Sequence, residues 1–350
     1  MSLSIGFLTY GDLPPGRLLS IACLLEKLGY SWLWHADEKF HRDPWVTLPM
    51  IAQSTDNLGL GIAVTEPYSR HPALIAMAIA TLAELAPKRL ILGLGAGGPG
   101  FPAMGIDRKH PAQTLRETIG IIRSMLAGKT TNSHGEILTA RNAKLSFESL
   151  AEIPIILGTR SELILQLAGE LADGVMTAAF ASTQALTHAL NNVSIGEKKR
   201  TKDISSFHKI CRVDLCIDDN EKNAYAAVKP GIALPLWSNF PNFKFLEPLG
   251  LLPIPEELYQ ILAKRDYNLM LEKSHLVPQN YIRHMVVAGN EKQVIKQMIE
   301  IGQTGVTQIT IRPITSSGNS IESILTQFST EIIPEVLKEC QLHSDEVGEQ

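Results

Sequence analysis

Apolar residues in this chain alternate between two rhythms. Short apolar runs lie at Leu3–Thr9, Ser31–His35, Leu58–Val64, Arg89–Leu94, Ile153–Leu157, Gly174–Thr177, Ile210–Ile217 and Val306–Ile311. Between them, apolar positions recur every three or four residues, the spacing of a helix with one buried face. Leu18, Ile21, Ala22, Leu25 and Leu28 form one such series, closed by Gly29. Pro44, Pro72 and Pro111 each open another, where a missing N–H costs nothing. Further helices are predicted at Ser161–Leu171, Thr183–Asn191, Gln293–Ile301 and Ser323–Leu337. Eight short strands, each followed by a helical pattern, predict a closed α/β (β/α)8 TIM barrel over a doubly wound open sheet.

Two stretches break the alternation. Residues 129–150, after strand four, read as a polar hairpin. Residues 229–278, after strand seven, carry six prolines before Pro278, among Trp237, Phe240, Phe243, Phe245, Tyr259 and Tyr267. An insertion without regular structure at this length is a lid or binding loop, or else a packed cover over the barrel. The chain therefore divides into one barrel domain over 1–340 and a polar tail over 341–350.

Composition narrows the function classes. Apolar residues are 45% of the 350, enough for a large core. The 32 basic and 36 acidic residues give a net charge of −4, so nucleic acid and anionic membranes are not expected partners. No run reaches the roughly eighteen apolar residues of a membrane span, and the N-terminus lacks a basic region followed by an apolar stretch. Cys23, Cys211, Cys216 and Cys340 offer no closely spaced pair, so neither a disulfide framework nor a zinc site is expected. The expectation is a cytoplasmic protein without a metal.

In such barrels the loops after the strands build the active site. After strand one stands Tyr10, and Trp34, His35, Asp37 and Glu38 crowd the end of strand two. A histidine beside two carboxylates suits general acid–base work or hydrogen bonding to a cofactor ring. Arg70 and His71 suit an anionic substrate, although His71 precedes Pro72 and equally suits a helix cap. Strand four opens into the glycine-rich run from Gly93 to Gly100 through Pro99. Gly158, Thr159, Arg160 and Ser161 lie between a strand and a helix start. Their N–H groups, hydroxyls and guanidinium suit a phosphate, and Ser161 equally suits a plain N-cap. No Gly-x-Ser-x-Gly elbow is present, which disfavours a serine hydrolase.

Val64-Thr65-Glu66-Pro67-Tyr68-Ser69-Arg70-His71-Pro72 resembles the strand-three signature of the bacterial luciferase-like flavin and deazaflavin oxidoreductases. It is most similar to the branch containing methylenetetrahydromethanopterin reductase. Leu92–Gly97, Leu115–Ile119 and Leu167–Val175 extend the resemblance over nearly the whole chain, apart from 229–278. The resemblance implies a barrel that holds coenzyme F420, or alternatively FMN. It implies a non-prolyl cis peptide at Ala63–Val64 backing the ring, with Thr65 beside it. His35 and Asp37 would lie at the ring edge, Gly95, Ala96 and Gly97 beside the cofactor, and Gly158 to Ser161 at its phosphate.

The expected activity is hydride transfer between F420 and a small organic substrate, in a homodimer. His35, Asp37 or Glu38 would handle the proton. Tyr10, Trp34, Arg70, His71, Trp237 and Phe240 would meet the substrate. An FMN-dependent monooxygenase and a non-catalytic flavin-binding barrel are the competing readings. This chain departs from the branch in lacking an acidic residue directly after strand one and in placing Gly98 after Gly97 and Thr159 after Gly158. These departures imply a substrate of its own.

Overall fold

The computed structural model describes residues 3–98, 100–149, 152–201, 203, 206–316 and 318–348, with side chains to 343. Its parallel strands are β1 (Ser4–Thr9), β2 (Trp32–His35), β3 (Gly59–Thr65), β4 (Leu90–Leu94), β7 (Ile155–Gly158), β8 (Gly174–Ala178), β9 (His208–Ile217), β10 (Val287–Gly289) and β11 (Gln308–Pro313). The antiparallel pair β5 (Thr131–His134) and β6 (Thr139–Ala143) stands apart from them. The strand order is β10-β9-β11-β1-β2-β3-β4-β7-β8, with a further pairing of β9 with β8. This is a (β/α)8 TIM barrel. The strands are buried almost throughout, which is why they read as continuous apolar runs and not as alternating ones.

The chain forms two compact units. One comprises residues 7–176 and 192–208. It contains α1 (Pro15–Lys27), α2 (Pro44–Ala52), α3 (Pro72–Leu85), α4 (Pro111–Leu126) and α5 (Glu162–Leu171). As predicted, α2, α3 and α4 begin with proline, and α1 does the same at Pro15. The β5–β6 hairpin follows α4, at the place read as a polar insertion. The Glu117 carboxylate fastens it by accepting the N–H groups of Glu136, Ile137 and Leu138 at 2.8–3.2 Å.

The other unit comprises residues 1–6, 177–191 and 209–350. α6 (Thr183–Glu197) runs across the boundary, and α7 (Glu221–Asn239), α8 (Glu256–Ala263), α9 (Tyr267–Glu272), α10 (Gln279–Met285), α11 (Glu291–Gly302), α12 (Ile321–Gln327) and α13 (Ile333–Gly348) follow. The 229–278 insertion is thus helical, not irregular. α7 runs straight through Pro230 and Pro235. An interior proline costs about 3 kcal/mol, but Ala224, Val228, Ile232, Ala233 and Leu236 are buried along this helix and offset that. Gly231 lets its backbone settle on the buried Asp214, which Arg212 and Arg312 hold at 2.6 and 2.8 Å. β10 was not foreseen. The stretch from 341, read as a polar tail, continues α13 to Gly348, and its last two residues lie outside the described ones.

Candidate functional site

The ends of β2, β3, β4 and β7 converge in the first unit. Between Ile62 and Thr65 the pairing of β3 with β4 shifts register, and the Ala63–Val64 peptide is cis. The displaced Val64 side chain occupies space that glycines leave open. A Cβ on Gly158 would come 2.5 Å from Val64 Cγ1, and one on Gly95 would overlap Val64 Cγ2. One on Gly93 would overlap the Ile62 carbonyl oxygen. The glycine-rich run therefore has a packing reason at Gly93 and Gly95. Gly97 has a different one, since its φ is +83° and a Cβ would strike the Phe101 ring. Phe101 packs edge-on against Tyr68 at 5.6 Å, joining this loop to the one after β3. Ala96 is half-buried in this loop, and Pro99 lies outside the described residues.

The β2 end carries the titratable groups. His35 is fully buried. Its Nδ1 donates to the Ala36 carbonyl at 2.9 Å, and Nε2 has no hydrogen-bond partner among the described residues. Burial pulls this imidazole below its ordinary range and outweighs the opposing charges of Asp37, Asp43 and Asp12, so the ring is neutral at neutral pH. Burial likewise pushes the Glu38 carboxyl up, against the lowering effect of His41 and Lys39. Asp37 accepts the Thr65 hydroxyl at 2.6 Å and pairs with Lys39 at 3.1 Å. Asp37, Glu38, Lys39, Ser69 and Arg70 line a cavity of about 320 Å³ together with Phe40, His41, Asp43 and Leu74.

At the β7 end, Thr159 Oγ1 accepts the Ser161 N–H at 2.9 Å, and Ser161 occupies the N-cap of α5 without a side-chain capping bond. Of the two readings of this turn, the simple cap is therefore not made. α5 begins directly after the loop that carries Thr159 and Arg160, with Glu162 the one acidic residue in its first turn.

The residues expected to meet the substrate have partners of their own within the protein. Trp34 and His35 are neighbours on a strand and face opposite sides of the sheet. Trp34 lies across Gly61 and stacks on Trp32 at 5.7 Å. His71 uses both ring nitrogens structurally. Nδ1 accepts the Ala73 N–H at the start of α3, and Nε2 donates to the Thr139 carbonyl at 3.1 Å. Both nitrogens are thus engaged within the protein. Arg70 lines the cavity but is held by Asp43 at 3.3 Å and lies over the Trp45 ring. Tyr10 is half-buried after β1. Trp237 and Phe240 belong to the other unit, where their rings hold the Arg265 guanidinium at 4.3 and 5.5 Å.

Sequence reading passed over Lys39, Glu66 and Arg42. Arg42 donates to the carbonyls of Gly11 and Asp12 at 3.2 and 2.8 Å, which shapes the loop after β1. Glu66 is 2% exposed and was visible only as one letter of the strand-three signature.

The sequence profile of the luciferase-like monooxygenase family matches residues 5–308. The chain is 30% identical over 298 residues to the 5,10-methylenetetrahydromethanopterin reductase of Methanolobus tindarius, spanning 85% of this chain and 90% of that one. Among solved structures, the coenzyme F420 dependent tetrahydromethanopterin reductase from Methanopyrus kandleri superposes with a TM-score of 0.82 at 24% identity, over 96% of this chain and 100% of that one. An F420-dependent secondary alcohol dehydrogenase in complex with an F420-acetone adduct gives 0.80 at 21%, over 96% and 99%. These two structural likenesses speak to the fold.

Proposed function

This chain belongs to the luciferase-like monooxygenase family, and from that premise we propose an oxidoreductase that moves a hydride between bound coenzyme F420 and a small organic substrate. The observation that carries the reading is the Val64 bulge, packed against Gly95 just after β4 and Gly158 at the end of β7. It offers one flat wall where strand, glycine loop and helix N-terminus meet. The residues present fit such a group. Val64 and Ala63 would back a planar ring, and buried His35, paired with Ile62 of the same strand, keeps Nε2 as an acceptor without a partner among the described residues. Thr159, Arg160, Ser161 and the N-terminus of α5 would hold a phosphate.

Coenzyme F420 supplies a two-electron carrier that gives or takes a hydride. The protein's part is to bind, orient and handle the proton. Reduction of a carbonyl carbon needs a proton at its oxygen, and Glu38, raised by burial at the cavity wall, suits that donor role. Asp37, fixed by Thr65 and Lys39, is the acceptor that orients the substrate. Arg70 borders the same cavity as a specificity residue. We place the reaction in the cytoplasm.

A homodimer belongs to the same proposal. Val46 and Met50 on α2 and Leu74 and Met77 on the adjacent α3 leave apolar side chains 39–67% exposed. The double substitution Val46→Glu with Met77→Glu is expected to give a monomer by light scattering. An unchanged mass would move the interface elsewhere.

The test of the cofactor is a parallel titration of apoprotein with F420 and with FMN at fixed salt. Selective F420 binding supports hydride transfer. Selective FMN binding would redirect the search to monooxygenation with an external reductase, and binding of neither would discard the cofactor reading.

A further inference from the structure

Lys39 forms the centre of a charged network at the ends of β2 and β3. Its Nζ lies 3.1 Å from Asp37 Oδ1 and 3.0 Å from Glu66 Oε1. The Asp37 side chain is 11% exposed, that of Lys39 13% and that of Glu66 2%. Glu66 is anchored independently, because its Oε2 accepts the N–H groups of Tyr68 and Ser69 at 2.6 and 3.0 Å and its Oε1 accepts the Ser69 hydroxyl. Asp37 Oδ2 accepts the hydroxyl of Thr65, the residue preceding Glu66. The chain of contacts Thr65–Asp37–Lys39–Glu66 thus closes on itself. The loop after β4 presses on it, for a Cβ on Gly100 would come 2.5 Å from Lys39 Cβ.

Two carboxylates that share one ammonium lie within the roughly 4–6 Å over which like charges act on each other. Without the ammonium, two largely desolvated negative charges would face each other, and a shared proton is the cheapest relief. One of the two lines the cavity. We propose that Lys39 is a positioning residue that holds Asp37 as a fixed hydrogen-bond acceptor at the cavity wall. The inference rests on the reading that this cavity receives the substrate. The ammonium of Lys39 stays charged in this setting, because Asp37 and Glu66 outweigh the effect of burial and hold it above its ordinary range.

The experiment compares wild type, Lys39→Met and Lys39→Arg as full chains. Infrared difference spectra at neutral pH read carboxyl protonation without any ligand. A protonated carboxyl band additional to that of Glu38 is expected in Lys39→Met, lost again when Asp37→Asn is added, and absent from wild type and Lys39→Arg. F420 titration is the second readout, with a dissociation constant in Lys39→Met within about twofold of wild type. In F420-linked turnover of whichever alcohol or carbonyl substrate wild type accepts, kcat is expected to fall about tenfold to a hundredfold in Lys39→Met and to recover in Lys39→Arg. Absence of the new band, or an unchanged kcat in Lys39→Met, overturns the inference. If wild type binds no F420, the cofactor reading falls, and the infrared result still decides whether Lys39 controls the carboxylate.

Discussion

The glycines around Val64 allow a sharp test of how the bulge is built. Alanine at Gly95 or Gly158 would place a methyl against the Val64 side chain, whereas alanine at Gly93 would meet the backbone carbonyl of Ile62. Replacing glycine restricts the unfolded chain and by itself stabilises by about 0.4–1 kcal/mol. Overpacking costs about 1–3 kcal/mol, so the net expected loss for Gly95→Ala or Gly158→Ala is about 1–2 kcal/mol. Val64→Ala alone removes two half-buried methyl groups, on the order of 1 kcal/mol. Each double variant with Val64→Ala relieves the clash, which predicts a favourable coupling of about 1–2 kcal/mol. Gly93→Ala gains no such relief, because its obstacle is main chain. Denaturant midpoints at constant m-value measure each single and double variant against wild type, and an F420 titration run alongside reports whether the wall still receives its ligand. Additive losses for Gly95 and Gly158, or equal rescue of Gly93→Ala, would refute the claim that Val64 fills the space these glycines leave.

Other expectations follow from the same geometry. Arg160→Ala is expected to weaken F420 binding about tenfold, as loss of one charge-assisted contact would, with little change in thermal midpoint; equal dissociation constants for both proteins would remove Arg160 from the phosphate site. His71→Ala loses an N-cap and the tie to Thr139, so the expected cost is about 1 kcal/mol of stability with F420 affinity unchanged. The two perturbed groups at the β2 end predict opposite pH slopes. His35 is lowered on folding, so its contribution is present above 6.5 and is lost as pH falls below that value. Glu38 is raised, so its contribution is present below 4.5 and is lost as pH climbs through its folded value. Stability curves of His35→Gln and Glu38→Gln should each lack one slope, and parallel curves for all three proteins would contradict both assignments.

Strand–helix alternation was legible in the residue order because each element carries its own local cause. Fully buried parallel strands read as apolar runs, and α2, α3 and α4 start at prolines visible in the chain. The loop set at the strand ends could be read for a related reason, since a barrel puts those loops on one face. The cis peptide at Ala63–Val64 stands where the strand-three signature placed it. Features that depend on partners far along the chain became legible only in the folded molecule. α7 persists through Pro230 and Pro235 because burial of its apolar side chains outweighs the lost hydrogen bonds. His71 is a cap because Thr139, sixty-eight residues away, takes its second nitrogen. Trp237 and Phe240 have their faces turned to Arg265. Lys39 is a single basic residue in a polar loop until folding sets the half-buried Asp37 and the buried Glu66 on either side of it. Local pattern decides what each segment is, but a charge or a ring takes its role from what is packed against it, and that is settled only in three dimensions.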